Sequence, residues 1–305
     1  MPAAFKEVLG NAGVDEDRNP TGMVIPMSGT NLVRLDGGSG YKLAVPPSLK
    51  FEILKPKDAL LAVKTLAARL GSTVPLLPAG SSICRVSATG APRDLKITAT
   101  KPGAKAPEAT LDVTVVKPRT VKLEIKPVQI PDPADPKKLA FHSKEPADPK
   151  TINALVGHMN SIWTPQTNVV FVLVSLTPYV PDGKDIAAAL GVKASSAPLP
   201  DRVDFPTFVN LFNSKGKDKS EDFAMFLVAK ATDNKDYTDA VSSRDAPISL
   251  ISDTRKLLPD MLAHEAGHLL GFRGHSDITK ELMHDGGSTV DKITYEQTVR
   301  LFNPK

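Results

Sequence analysis

The chain has 305 residues, 41% of them hydrophobic, which is enough to bury two separate cores. Its 38 lysines and arginines against 34 acids leave a formal charge of +4 spread along the chain, so no nucleic-acid partner is expected. No apolar run reaches the ~18 residues of a membrane span. No internal repeat indicates a solenoid.

Residues 1–24 are polar, with Gly, Asn, Asp and Pro and no period, and are expected to form a flexible amino-terminal segment. From Thr30 onward short alternating runs separated by turn signals predict strands at Asn31–Leu35, Tyr41–Val45, Leu49–Leu54, Leu60–Leu66, Ile83–Ala88, Leu95–Ala99 and Ala109–Val116. The apolar residues of Leu60–Leu70 fit a helical period equally well. So many short strands predict an all-β sandwich over residues 25–118. The run Leu95-Lys96-Ile97-Thr98-Ala99-Thr100, then Leu111-Asp112-Val113-Thr114-Val115-Val116, resembles the last strands of bacterial immunoglobulin-like modules. That resemblance implies an Ig-like accessory domain with a surface or protein ligand of its own.

A boundary falls near Lys117-Pro118-Arg119-Thr120, and Val121–Val128 alternates cleanly enough to open a second, α+β domain over residues 119–305. Five prolines and many charges over Pro131–Lys150 predict an exposed loop. Ile152, Leu155, Met159 and Ile162 give helical spacing to Lys150–Ile162, and Val169–Leu176, Phe223–Val228 and Ile248–Ser252 read as strands. A short helix is expected at Asp204–Phe212, followed by a solvated loop carrying Lys215, Lys217 and Lys219. Pro259 and Asp260 open a helix whose apolar stripe is Met261, Leu262, Ala266 and Leu269, and Gly271 stands where it would stop. Thr294, with Glu296 and Gln297 after it, opens a last helix over Tyr295–Phe302.

The helix before Gly271 carries His264-Glu265-Ala266-Gly267-His268. Two histidines four residues apart lie about 40° apart around a helix, one turn removed, so both imidazoles can reach one metal ion. That pattern points to Zn2+, and Glu265 sits beside the metal-binding face, placed to act as general base toward a zinc-activated water. A sharp reversal at Gly271 would return a third ligand from the following loop while a fourth position stays open. His275 is the first candidate; Asp277 and Glu281 are the others.

The series His264-Glu265-x-x-His268-x-x-Gly271, then His275-Ser276 and Leu282-Met283, resembles the metzincin clan of zinc endopeptidases, whose pattern is HExxHxxGxxH followed by a methionine turn. Asn160–Gln166 running into Asn168–Leu173 resembles the clan's first long helix and the strand after it. The clan's third ligand stands three residues after the glycine; that place is Gly274 here, with His275 one residue later. The resemblance implies a methionine turn at Met283, a floor beneath the metal rather than a ligand. His284 either lines the cleft or is solvated. Tyr295, twelve residues beyond Met283, is expected to pack rather than to serve the reaction.

The expected function is a zinc-dependent endopeptidase acting on a protein or peptide substrate, with Zn2+ as cofactor and a monomeric chain. The alternative is a binding or adhesion protein whose zinc domain is inactive or structural. Cys84 is the only cysteine, which excludes an intrachain disulfide. It reads as a small buried hydrophobe; its flanking residues lack the motif of an inhibitory propeptide thiol. Met1–Gly13 has no 7–15-residue apolar core after a basic start, so no Sec signal peptide is expected, and a non-classical route out of the cell is favoured over the cytoplasm.

Overall fold

The computed structural model describes residues 2–9, 12–37, 40–70, 72–131, 139–142, 148–180, 203–204, 209, 222–228, 231–233, 236–238, 240–243, 246–252, 259–272, 275–277, 281–284 and 292–302. Among the described residues four helices are numbered in chain order: α1 (Pro56–Arg69), α2 (Pro149–Thr167), α3 (Pro259–Leu270) and α4 (Tyr295–Phe302). None of them is long and apolar enough to cross a membrane. The chain divides into two compact units: Met1–Arg119 with Asn160–Val170 and His275–Lys305, and Thr120–Met159 with Phe171–Gly274.

The described residues of the first unit hold nine strands: β1 (Ala4–Lys6), β2 (Val14–Asp15), β3 (Thr21–Pro26), β4 (Thr30–Asp36), β5 (Lys42–Ala44), β6 (Leu49–Ile53), β7 (Ser82–Ala88), β8 (Arg93–Thr100) and β9 (Ala109–Val116). They form two sheets, ordered β1-β4-β7-β6 and β2-β3-β9-β8-β5. All pairings are antiparallel except β3 beside β9. Phe5, Val33, Leu35 and Val86 from one sheet and Met23, Ile25, Ile97, Leu111 and Val113 from the other share one apolar core. Alternation put these side chains on a common inner face, as period-2 patterning requires.

Three expectations for this unit need correction. Residues 1–24 are not a flexible lead-in: β1, β2 and most of β3 lie there, with Phe5, Val14 and Met23 in the core. Their pieces are short, and β1 and β3 find partners in β4 and β9, farther along the chain. Leu60–Leu66 is helix, within α1, so the unit is not purely β. Pro56 pre-sets the first turn, Asp58 and Arg69 suit the two ends of the helix dipole, and Ala59, Val63, Leu66 and Ala67 bury a helical stripe against Leu32, Leu54 and Ile83. Finally, α4 belongs to this unit, packing Tyr295, Val299 and Phe302 on Val24 and Val116.

Gly22 makes that last contact possible. A Cβ at this position would stand 2.4 Å from Tyr295 Cγ, 2.6 Å from Cδ2 and 2.8 Å from Cβ, so the base of the ring is in the way. Gly22→Ala is therefore expected to cost about 1–3 kcal/mol through overpacking, read as a lower urea midpoint at unchanged slope. Tyr295 is 8% exposed, its hydroxyl is bonded to that of Thr114, and the Arg18 guanidinium lies 4.7 Å from its ring centre. It packs, as expected.

The second unit adds β10 (Arg119–Pro127), β11 (Gln129–Pro131), β12 (Leu139–His142), β13 (Val169–Leu176), β14 (Val203–Asp204), β15 (Phe223–Val228), β16 (Ala231–Asp233), β17 (Asp236–Thr238), β18 (Ala240–Ser243) and β19 (Ile248–Ser252). Its main sheet runs β13-β10-β15-β19-β18. β10, β15 and β19 are parallel neighbours, and β18 closes one edge antiparallel to β19. Every residue of β15 and β19 is buried, which is why β15 reads as a continuous apolar run rather than an alternating one; β19 carries Ser249 and Ser252 among its apolar residues. The stretch expected to be loop over Pro131–Lys150 contains β12, which pairs back on β11. The short helix expected at Asp204–Phe212 falls almost wholly outside the described residues, as do Lys215, Lys217 and Lys219.

α2 begins one residue earlier than its apolar spacing suggested. Asp148 caps it, accepting from Lys150 N (3.2 Å), Thr151 N (3.1 Å) and the Thr151 hydroxyl (2.9 Å), and these bonds hold its carboxyl below the usual range. The helix continues past Pro165 to Thr167, and in its last turn Gln166 Nε2 and Thr167 Oγ1 donate to the carbonyls of Ile162 and Trp163. Asn168, at φ 59°, then turns the chain into β13.

Candidate metal centre

The centre is built on α3 and the turn that ends it. Leu262, Ala263, Ala266 and Leu269 are buried on one side of the helix, which leaves His264 and His268 half-exposed on another. Gly271 has φ 112°, a backbone region closed to side chains with a Cβ. Its N–H donates to His268 O (3.0 Å), and the Phe272 N–H reaches back to Gly267 O (3.0 Å). These two bonds are the Schellman ending of a helix.

That turn has a chemical product. It carries the Phe272 carbonyl to 2.9 Å from His268 Nδ1. A carbonyl only accepts, so Nδ1 holds the proton and the lone pair is left on Nε2. His268 Nε2 stands 3.2 Å from His264 Nε2, the rings inclined at 77°. Two nitrogens bound tetrahedrally to zinc at roughly 2.0–2.1 Å would lie roughly 3.3–3.4 Å apart. The spacing fits one ion bound between them.

His275 completes the group: liganding atoms of His264, His268 and His275 all lie within 4.8 Å of one another. Neither Asp277 nor Glu281, the other sequence candidates for the third ligand, belongs to that group. Three imidazoles with no carboxylate among them are a donor set that suits Zn2+ and does not suit Ca2+ or Mg2+, which take oxygen.

Glu265 points the other way from a solvated helix residue. It is 4% exposed, and burial pushes its carboxyl up to about 7, an effect partly offset by the Ser242 hydroxyl, which donates to Oε2. Ser242 lies on the edge strand β18 and is bonded in turn to the hydroxyl of Ser249 on β19. Sequence reading missed both serines. Ser249 left a faint signal, a hydroxyl inside the otherwise apolar Ile248–Ile251, and it is fully buried. Ser242 left none.

Met283 is 2% exposed in a turn, residues 281–284, that is pinned from two sides. The Ser276 N–H donates to Met283 O (2.8 Å), and the Leu282 N–H donates to Lys292 O (2.8 Å). His284 is half-buried with Nδ1 2.8 Å from Ser276 O, so it is held by backbone rather than simply solvated. Cys84 is wholly buried in the first unit's core, where burial raises its thiol to about 12 and leaves it protonated.

No protein-family model matches the sequence, and comparison with curated proteins finds no match. Among solved structures the chain is similar to an archaemetzincin from Methanopyrus kandleri, at 13% identity and TM-score 0.38, over 60% of this chain and 93% of that one. It is also similar to a zinc-dependent peptidase from Methanocorpusculum labreanum, at 12% identity and TM-score 0.26, over 59% and 92%. A sialyltransferase from Photobacterium damsela follows at 14% identity and TM-score 0.19, over 70% and 35%.

Proposed function

We propose that the chain is a zinc-dependent endopeptidase. The observation that carries this reading is the three-imidazole group on α3 and its turn, with the buried carboxylate of Glu265 on the same helix. When bound, zinc supplies Lewis acidity, which polarises a carbonyl and acidifies water. Glu265 takes the proton from the attacking water and returns it to the amine nitrogen as the peptide C–N bond breaks. His268, locked in one tautomer by the Phe272 carbonyl, presents Nε2 without a rotamer search.

In this reading the chain from Thr120 onward supplies a metzincin-like catalytic centre, Met283 forms its methionine turn, and the two-sheet body of residues 1–119, covered by α4, is an Ig-like accessory domain that binds a surface or protein ligand. The substrate is a protein or peptide, and the chain acts as a monomer.

The test is zinc stoichiometry by elemental analysis, on the parent and on His275→Ala, both purified without chelator, followed by a peptide-library digest. One zinc per parent chain, much weaker retention in His275→Ala, and cleavage by the parent are the expected results. A parent that purifies without zinc would leave a binding protein as the better description.

A further inference from the structure

The two oxygens of the Glu265 carboxylate have different surroundings. Oε2 takes the Ser242 hydroxyl proton, while Oε1 takes no hydrogen bond among the described residues. Ser242 and Ser249 are directly opposed across the β18–β19 pairing, so their side chains share the sheet face that α3 covers. Ser249 is fully buried in a strand whose five residues are all buried. A hydroxyl there is costly unless bonded, and the bond it makes is to Ser242. Since an ionised carboxylate only accepts, Ser242 must donate to it, and Ser249 must then donate to Ser242.

A terminal carboxylate torsion is otherwise broad, with no sharp preferred angle. On an exposed helix face Glu265 would sample many orientations, few of them aimed at a reacting water. Here a hydroxyl fixed by the sheet ties down one oxygen and leaves the other to present.

We propose that Ser242, itself oriented by Ser249, is a positioning residue that fixes the Glu265 carboxylate through Oε2 so that Oε1 faces the reacting water. This rests on the endopeptidase reading. Ser242 touches neither substrate nor metal in this scheme and acts only through Glu265.

The experiment compares parent, Ser242→Ala and Ser242→Thr on one peptide cleaved by the parent, with zinc content and thermal midpoint measured on each. Ser242→Ala is expected to keep one zinc per chain and the parent's midpoint within a few degrees, to leave KM unchanged, and to lower kcat by about 10–100-fold through misplacement of the base. Ser242→Thr, which restores the hydroxyl, is expected to recover most of that loss. A Ser242→Ala kcat within twofold of the parent overturns the inference and leaves the endopeptidase reading standing. Loss of zinc in Ser242→Ala, or a kcat loss that Thr does not rescue, also overturns it, because the hydroxyl would then support the fold rather than the base. A parent that cleaves no peptide removes the endopeptidase reading and this inference with it.

Discussion

Glu265→Gln is expected to retain one zinc per chain and to lose about 10²–10⁴-fold in kcat, the usual contribution of a positioned proton-transfer group. Gln has the shape of Glu, and its amide oxygen can still accept from Ser242, so the buried pocket stays filled and its hydrogen bond is kept. What it lacks is the capacity to take a proton. The buried carboxyl, at about 7 without metal, is close to the value that lets one group act as base and then as acid near neutrality. The sign of the pH dependence follows: the ionised form is the base, so the parent's activity falls as pH drops through the Glu265 pKa. A bound divalent cation, favouring the ionised form, moves that limb lower. Steady-state kinetics with elemental analysis of the same samples decides the matter, and a Gln variant as fast as the parent would remove Glu265 from the reaction.

Lys292→Met is expected to destabilise the protein by about 3–5 kcal/mol, the cost of stripping one partner from a buried ion pair. Lys292 is 5% exposed and its Nζ lies 3.0 Å from Asp15 Oδ1 and 2.8 Å from Asp17 Oδ2. Asp17 is exposed and can return to water, but Asp15 is buried, with its other oxygen accepting from the Tyr295 N–H. Met fills the volume of the lysine stem without its charge, so the loss isolates the electrostatic part. Glu7, whose carboxyl is already raised by burial, is drawn down chiefly by Lys292 and would rise further in the variant. Pairing Lys292→Met with Asp15→Asn should recover part of the loss, since Asp15 then no longer carries an unpaired buried charge. Urea unfolding of the two singles and the double reads the coupling; a single-variant loss below about 1 kcal/mol would mean that water reaches the pair.

How much the sequence disclosed depended on how local each cause was. Phe223–Val228 was legible because a strand buried on both faces must be apolar throughout, and Val169–Leu176 and Ile248–Ser252 because they are dense in Val, Ile and Leu. The limits of α3 were legible because Pro259 and Gly271 act within one turn of themselves. The strands in residues 1–24 were not, since their stability comes from partners such as Leu111–Val116 beside β3. At the centre, spacing alone placed His264 and His268 on one helix face with Glu265 beside it. The third ligand stayed open among His275, Asp277 and Glu281, because the choice depends on how the backbone runs after Gly271. Ser242 was invisible for a related reason: it reaches Glu265 across 23 residues, through a sheet edge that no periodicity announces.

The placing of α4 on β3 and β9 has a further consequence for the chain while it is still being made. β9 leaves the ribosome about 180 residues before Tyr295 does, an interval of roughly 10–35 s at ordinary elongation rates. Throughout that interval Val24 and Val116 lack their cover, and Asp15 lacks both the Lys292 ammonium and the Tyr295 N–H. The nascent sandwich therefore waits with an apolar patch and a buried carboxylate unmet, an invitation to chaperones and to premature association. Its closure comes only with the segment that also carries His275 and Met283, so a ribosome that stalls in between yields neither a finished sandwich nor a complete set of metal ligands.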